Sequence, residues 1–257
     1  MNWSRIKTIF ILAFLILNSF LGYQLWEKQT KKIEMAQVYE SSMDELLLLK
    51  HITLATELSV EQTQMSQLNT QFAIYSLQEL YHVSKQNILI ENEQLHAQLM
   101  EPYPLAEPFD PYLFQQNFMK GHVLNGEQYV FDRKTPTEIV YLQKIQDYPI
   151  FLSTVKFSIE DQRVVEYKQV YHEVVNKGTE QPVISSFTTI RALLDHQVIP
   201  PNSTIQRVTL GYYGQIYEIE SQVLTPVWRV LIEHEGKQIT YYVNAFTGAL
   251  ESVPLEQ

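Results

Sequence analysis

An uncharged stretch near the N-terminus, Thr8 to Trp26, limits the possible folds of this chain more than any other feature. At about 1.5 Å per residue, a helix of this length spans a hydrocarbon core of about 30 Å. A cleaved signal peptide needs small residues before its cleavage site, and Phe20 stands where cleavage after Gly22 would need one. We therefore predict an uncleaved transmembrane anchor at residues 8–26.

The flanks of the anchor favour an N-terminus inside the cell. Arg5 and Lys7 precede the anchor without any acid, whereas lysines and glutamates are mixed after it. The lysines after the anchor weaken the positive-inside signal, because that rule counts basic residues and gives acids little weight. A short N-terminal tail followed by a long polar chain still predicts a single-pass protein with a cytoplasmic N-terminus and an extracytoplasmic C-terminal domain.

One face of the predicted anchor is suited to contact another helix. Asn18 and Gly22 are four residues apart and share a helix face, which Phe14 and Leu25 extend. An amide in hydrocarbon gains by finding a hydrogen-bond partner, and glycine lets a second backbone come close. We predict a transmembrane partner face at Phe14, Asn18, Gly22 and Leu25. The alternative is that Asn18 lies close enough to the outer interface to stay hydrated.

The charge balance excludes several classes of partner. All 29 acidic residues follow the anchor, as do 17 of the 19 basic ones, so the part after the anchor carries a net charge of −12. Nucleic-acid binding and a polybasic membrane patch both need the opposite sign. The chain has no cysteine, which excludes disulfides, thiolate nucleophiles and cysteine metal sites.

After the anchor, the apolar pattern changes several times. Residues 33–49 have helical spacing, as a short coiled-coil stalk or as an amphipathic helix lying on its own domain. "ITLATEL" and "QFAIYSL" are predicted as strands, and "NILIENEQLHAQLM" alternates apolar and polar residues as a strand does. "EPYPLAEPFDP" holds four prolines, which argues against a regular helix or a central strand and indicates a linker or domain boundary.

The C-terminal half shows a possible internal repeat with an offset of 77 residues. The segment from Thr137 aligns with the segment from Gly214, and Pro149 falls on Pro226. Asp110-Pro111 is predicted to cap a first helix, and Ser186 to cap a second. Each unit is predicted to contain a helix, two strands and a proline-led hairpin, with the hairpins turning near Glu160-Asp161 and Glu235-Gly236. Chance similarity between amphipathic strands is the alternative to duplication.

Together these patterns predict an α+β protein. It would have one N-terminal transmembrane helix and an ectodomain of small antiparallel sheets, each flanked by a helix and related by the suggested duplication. The predicted parts are a cytoplasmic tail (1–7), the anchor (8–26), a helical stalk (27–49), an N-terminal ectodomain part (50–108), a first α+β unit (109–178) and a second α+β unit (179–257).

No pattern of catalytic residues emerges from the sequence. The seven histidines form no close ligand spacing, and the serines lie outside known nucleophile motifs. Glu160-Asp161 falls in a predicted turn, and Glu218 and Glu220 share a strand face that we expect to be solvated. We predict no enzyme activity, no metal and no cofactor.

Three segments of the chain form recognisable motifs: "W-x-x-x-K-T-I-F-I" from Trp3 to Ile11, "N-x-F-L-G-Y-Q" from Asn18 to Gln24, and the C-terminal "YYVNAFTG". With these motifs the chain resembles the YycI (WalI) family, which is grouped with YycH as the YycH/YycI family. The last motif also looks like the closing strand and turn of PepSY-type modules, so the second unit is expected to have a PepSY-like ending.

The resemblance implies a non-enzymatic regulator of the YycG/YycF (WalK/WalR) two-component system of Gram-positive bacteria. Family members associate with the sensor histidine kinase YycG (WalK) and with YycH (WalH), and they set kinase activity through membrane-embedded and extracytoplasmic contacts. Two alternatives remain at this stage. One is an extracytoplasmic module that binds a wall fragment or peptide and is merely tethered by its anchor, and the other is a surface hydrolase.

Overall fold

The predicted anchor and stalk fall only partly within the described chain. The computed structural model describes residues 7, 12, 14–24, 43–83, 85–214 and 221–251. Residues 14–24 and 43–49 are helical, and the rest of the 27–49 stalk lies outside the described residues. Over the ranges described, none of the helices combines the length and the apolar character that crossing a membrane requires.

The chain divides into two compact parts. The first consists of Met1–Thr53 with Ile199–Ser203, and the second of Leu54–Val198 with Thr204–Gln257. In the first part, the backbone N–H of Asn202 donates to the carbonyl of Lys50 at 3.0 Å, and Met43 is buried. The boundaries at 108/109 and 178/179 suggested by the sequence stay predictions.

Short helices and long strands make up the described residues between 53 and 244. The helices are α1 (Leu77–His82), α2 (Pro111–Phe114, continued by a π-helical segment Gln115–Met119 and by Lys120–His122) and α3 (Ser186–Asp195), with a 3₁₀ turn at Gly126–Gln128. The strands are β1 (Thr53–Leu54), β2 (Gln64–Met65), β3 (Leu68–Phe72), β4 (Gln86–Glu91), β5 (Gln94–Pro104), β6 (Tyr129–Lys134), β7 (Glu138–Ile145), β8 (Tyr148–Glu160), β9 (Arg163–Gln169), β10 (His172–Lys177), β11 (Gln181–Pro182), β12 (Ser203–Tyr213), β13 (Ser221–His234) and β14 (Lys237–Asn244).

The α+β class is confirmed, but the sheet is large. Within the described ranges, twelve strands join one sheet whose main path is β10-β3-β13-β12-β8-β9-β5-β4. The expectation of several small sheets, each flanked by a helix, is therefore wrong for the described residues, where β2 and β11 form the one further sheet, with two strands. The strands of the large sheet merge because β12 runs parallel to β8, with Tyr212 opposite Ile150, and because β3 lies between β10 and β13.

Both predicted hairpins are present. β8 and β9 pair antiparallel from Glu160 and Arg163, and β13 and β14 from His234 and Lys237. The first turn lies at Asp161-Gln162, one residue later than predicted, because Glu160 still pairs with Arg163. Both central residues of each turn have positive φ, as expected for two-residue hairpins that follow the right-handed twist of the strands.

Helix starts were predicted with mixed success. The Asp110 carboxylate accepts from the backbone N–H of Leu113 at 3.0 Å, as predicted. The cap of α3 is Ser185 rather than Ser186, because the Ser185 hydroxyl accepts from the N–H of Thr188 at 3.1 Å. The strand predicted over residues 71–77 is wrong after Phe72, where a Ser76–Glu79 capping box begins α1.

The strand prediction for "ITLATEL" is confirmed only at Thr53–Leu54, whereas "NILIENEQLHAQLM" forms the β4–β5 hairpin. The proline-rich segment is partly strand, because β5 continues to Pro104 beside β9 after a shift in register. β4 pairs with β5 only as far as Leu99, so the prolines lie where β5 has β9 as its paired neighbour.

An aromatic core lies between α2 and the strands β5, β7, β8 and β9. Phe118 from α2 lies 4.5–5.9 Å, between ring centroids, from Tyr103, Phe114 and Phe157. The Tyr167 hydroxyl donates to the carbonyl of His122 at 2.6 Å. This core holds the hairpins β4–β5 and β8–β9 in place, and the ends of these hairpins form one side of the site described below.

Candidate functional site

A pocket of about 370 Å³ opens within the second compact part, and we call it the His172 pocket. Its volume lies in the range of about 300–1,000 Å³ that is usual for small-molecule sites. It is lined by Phe72, Leu89, Glu91, Asn92, Glu93, Gln94, His96, Leu152, Lys168, Val170, His172 and Gln222.

The pocket forms where two groups of strands meet. Phe72 of β3, His172 of β10 and Gln222 of β13 come from one end of the sheet. The β4–β5 hairpin turn at Asn92-Glu93, together with β8 and β9, forms the other side. His172 is the first residue of β10 and follows a short connection from β9. This connection links the two groups of strands, so the pocket floor lies where the chain passes from one group to the other.

The floor is a buried polar network centred on His172. The imidazole Nδ1 is hydrogen-bonded to the Ser153 hydroxyl, and Nε2 lies 3.1 Å from Oε1 of Gln222. The backbone of His172 is also fixed, since its N–H donates to Gln143 Oε1 at 2.8 Å and its carbonyl accepts from Gln143 Nε2 at 2.7 Å. His172, Ser153, Gln143 and Gln222 are each at most 2% exposed.

The hydrogen bonds determine which imidazole nitrogen carries the proton. In the Gln222 amide orientation of this structure, the carbonyl oxygen Oε1 only accepts, so Nε2 of His172 donates to it and Nδ1 accepts from the Ser153 hydroxyl. Burial lowers the pKa of His172 below its usual value near 6.5, and the bond to Gln222 opposes this shift without cancelling it. The imidazole is therefore neutral at pH 7.

One end of the Gln222 side-chain amide has no hydrogen-bond partner among the described residues. Its Oε1 bonds to His172, whereas its Nε2 is buried and meets no acceptor among the described residues. The backbone carbonyl of Gln222 is used, since it accepts from the Thr70 hydroxyl at 3.2 Å. A buried amide donor without an acceptor costs about 1–3 kcal/mol, so a group that supplies an acceptor at this point is stabilised.

The walls are apolar and the rim is charged. Phe72 stacks against the His172 ring with centroids 4.6 Å apart, and Leu152 and Val170 line the same cavity. Around the rim lie Lys168 and the acidic side chains Glu91 and Glu93. The rim histidine His96 pairs through Nε2 with the carboxylate of Glu166 at 2.9 Å.

A Ser–His contact can indicate nucleophilic catalysis, but Ser153 is fully buried. A nucleophile must reach a reacting atom, and the hydroxyl here lies behind the imidazole, where it fixes the tautomer. In the described part of the chain, no three His, Asp or Glu side chains converge as metal ligands.

The predicted transmembrane face lies apart from this pocket in sequence and is only partly described. Phe14, Asn18 and Gly22 belong to the helical residues 14–24, where a spacing of four places them on one face. All three are exposed, and among the described residues a Cβ added at Gly22 would meet no atom within 4 Å apart from the adjoining backbone of its own helix. Leu25 lies outside the described residues.

Sequence reasoning missed the pocket. No close ligand spacing marks His172 in the sequence, and none of the motifs includes Gln143 or Gln222. The available signal was a polar residue at an inward strand position. On β7, Gln143 lies on the same strand face as the buried Ile139 and Tyr141, because side chains two residues apart point to the same side. On β13, Gln222 lies on the same face as the buried Leu224.

The chain matches the family model described as "YycI protein" over residues 30–246, which is most of its length. The α+β chain with one large sheet therefore belongs to the YycI family. This is a family of regulatory, membrane-associated proteins connected with the YycG (WalK) two-component kinase system.

Comparison with curated proteins gives no match. Among solved structures, an uncharacterized protein from Eubacterium rectale is similar at 10% identity and a TM-score of 0.46, over 79% of this chain and 89% of that one. The YpeB C-terminal domain of Bacillus megaterium is similar at 11% identity and a TM-score of 0.37, over 85% and 96%. Both TM-scores lie below 0.5, so neither likeness bears on the function of this chain.

Proposed function

We propose that this protein is a membrane-anchored extracytoplasmic regulator that binds the sensor kinase YycG (WalK) and a YycH (WalH)-type partner. It adjusts kinase activity through transmembrane and ectodomain contacts. The observation that carries the proposal is the family match over residues 30–246. The N-terminus lies in the cytoplasm, residues 8–26 cross the membrane once, and the C-terminal domain is extracytoplasmic.

The anchor acts by contacting the kinase helices. A regulator shifts a two-state kinase only by binding one state more tightly than the other. Phe14, Asn18, Gly22 and Leu25 form the contact face, where Gly22 permits close approach and the Asn18 amide supplies a hydrogen bond worth about 0.6 kcal/mol on average. Support comes from the helical state of residues 14–24 and from the open space beside Gly22.

An anchor exchange tests this proposal. Thr8–Trp26 is replaced by an unrelated apolar helix, and transcription from a kinase-dependent promoter is measured in cells. We expect the regulation to be lost. A second exchange carries Phe14, Asn18, Gly22 and Leu25 at their original spacing and should restore it. Unchanged regulation with the unrelated helix would make the anchor a mere tether and favour the tethered binding module.

A double substitution tests the face itself. Asn18→Leu with Gly22→Leu removes the amide and closes the gap, so we expect weaker association with the kinase in a membrane two-hybrid assay and normal insertion. The matched control is Ile16→Leu with Phe20→Leu, two residues with the same spacing on the opposite face. Equal association for both double variants would rule out the Asn18–Gly22 face.

We also infer that the C-terminal half arose by duplication and ends in a PepSY-like unit. The support is the order of elements. A helix is followed by strands and a final hairpin in residues 111–169 (α2 to β9), and the described parts of residues 186–244 (α3 to β14) show a similar order. No catalytic role is assigned to either unit. A catalytic role would be shown if the purified protein hydrolysed wall polymer and if substitution of one carboxylate abolished this activity.

A further inference from the structure

The floor of the His172 pocket offers a hydrogen-bond donor to a ligand. Among the described residues, the Gln222 amide makes one side-chain hydrogen bond, to His172 Nε2, and this bond engages one end of the amide only. If the amide oxygen and nitrogen were exchanged, the other end would be the unpaired one, so one end lacks a partner in either orientation. This unpaired end is buried at the cavity. A ligand that fills this site therefore presents a group able to pair with an amide.

The walls select for an apolar group of moderate size. Phe72, Leu152 and Val170 line the cavity beside the amide, and Leu89 of the edge strand β4 completes the apolar part of the lining. An aliphatic side chain placed here is removed from water, which stabilises the complex by about 25 cal/mol per Å² of apolar surface buried. An amide next to an aliphatic side chain is what a peptide supplies.

The rim carries both signs of charge. Lys168 can meet a carboxylate, whereas Glu91 and Glu93 on the β4–β5 turn can meet an ammonium group. A rim of one sign would favour a simple cation or anion, but this rim is complementary to a molecule with a charge of each sign at its ends. A free peptide of two or three residues has that pattern.

We propose that the His172 pocket binds a short zwitterionic peptide of two or three residues. Its aliphatic side chain packs on Phe72 and Leu152, and a peptide carbonyl accepts a hydrogen bond from Gln222. Its carboxylate faces Lys168.

Binding is measured on the purified full-length chain in detergent micelles, by calorimetric titration with leucyl-alanine and with alanyl-leucyl-alanine. We expect saturable binding of at least one of these peptides. The same peptides with an acetylated N-terminus and an amidated C-terminus lack both charges, and we expect them to bind several-fold more weakly, since each exposed ion pair contributes about 1.4- to 5-fold.

Two substitutions locate the binding site. Lys168→Met removes the rim cation from an exposed position and should weaken binding about threefold. Gln222→Leu replaces the amide with a branched apolar side chain that is one bond shorter, and should weaken binding about tenfold. The matched control is Lys177→Met, another exposed strand lysine that does not line the pocket, and it should bind as the parent chain does. Thermal melting of each variant verifies the fold.

The proposal is overturned if neither peptide gives saturable binding. It is also overturned if the blocked peptides bind equally well, or if Lys168→Met binds no more weakly than Lys177→Met. Should Gln222→Leu fail to fold, the blocked peptides and Lys168→Met still decide the matter. Because this test measures binding to the isolated chain, its failure is distinguishable from failure of the kinase proposal, which is measured by promoter output.

Discussion

The aromatic core beneath α2 and the floor of the His172 pocket are both buried, yet they use their polar atoms differently. In the core, the hydroxyls of Tyr141 and Tyr167 donate to the backbone carbonyls of Pro111 and His122 at 2.8 and 2.6 Å. At the pocket floor, Ser153, His172 and Gln222 bond to one another, and the chain ends on an amide nitrogen without an acceptor.

This difference separates packing from binding. In the core, the tyrosine hydroxyls donate to backbone carbonyls at the two ends of α2 and so fix this helix on the sheet. Buried atoms without a partner among the described residues occur in both regions, since Gln86 Oε1 and Gln169 Oε1 beside the core are also unpaired. Gln222 differs from them because it lines the His172 pocket. Burial alone therefore does not distinguish a structural polar group from a functional one, whereas a cavity beside the unpaired group does.

The largest expected effect lies in the aromatic core. Phe118→Ala removes a ring that is 1% exposed and leaves a cavity among Tyr103, Phe114 and Phe157. We expect the free energy of unfolding to fall by about 3–5 kcal/mol, measured by chemical denaturation. Tyr112→Ala, an exposed position on the same helix, serves as control and should cost below about 0.5 kcal/mol. Similar losses for both variants would contradict the assigned core.

A smaller effect is expected from the polar tips of the core. Tyr167→Phe removes the hydroxyl that donates to the carbonyl of His122 and accepts from Gln86 Nε2 at 3.2 Å. The carbonyl of His122 keeps a second donor, because Gln86 Nε2 also bonds to it at 3.0 Å. The free energy of unfolding should therefore fall by about 0.5–1.5 kcal/mol. Tyr81→Phe, on an exposed ring, is the control and should leave denaturation unchanged.

Acidification should act on the pocket floor rather than on the aromatic core. Burial lowers the pKa of His172 in the folded chain. At pH values between this lowered pKa and about 6.5, His172 is protonated in the unfolded chain but neutral in the folded chain. Stability is therefore lost as the pH falls below 6.5, by up to about 1.4 kcal/mol at pH 5.5. Denaturation at pH 7.5 and 5.5 measures this difference.

The variant His172→Gln should reduce this pH dependence, because it removes the group that titrates only in the unfolded chain. His51→Gln, at an exposed position, is the matched control and should keep the dependence of the parent chain. An unaltered slope in His172→Gln would show that the acid sensitivity arises elsewhere and would weaken the contrast between the two regions.

The smallest expected effect is at the pocket rim. His96 and Glu166 pair at 2.9 Å, with side chains that are 38% and 31% exposed, so water screens the interaction. The Ser158 hydroxyl also donates to Glu166, and the His96 contact is the first cause of its lowered pKa. His96→Ala should cost below about 1 kcal/mol in denaturation at pH 7. A larger loss would show that the His96–Glu166 pair stabilises the fold and would contradict its description as a solvent-screened pair at the rim.

The elements that sequence reasoning placed correctly are those with strong local signals. The hairpins at β8–β9 and β13–β14 follow from alternation and turn residues, and Asp110-Pro111 marks the start of α2. The strand predicted after Phe72 is wrong because the Ser76–Glu79 capping box starts a helix there, and the Ser-x-x-Glu spacing of this box is visible in the sequence. The predicted transmembrane face at Phe14, Asn18, Gly22 and Leu25 stays a prediction.

By itself, the sequence determined the α+β class, the two hairpins and the resemblance to the YycI family, because alternation, turns and motifs are local properties of the chain. Only the tertiary structure decided that the strands merge into one large sheet and that Ser153, His172 and Gln222 meet at a pocket. Gln222 lies 50 residues beyond His172 in the chain. Contacts over such distances depend on how strands pair across the sheet, and nothing in the local pattern of either residue specifies that pairing.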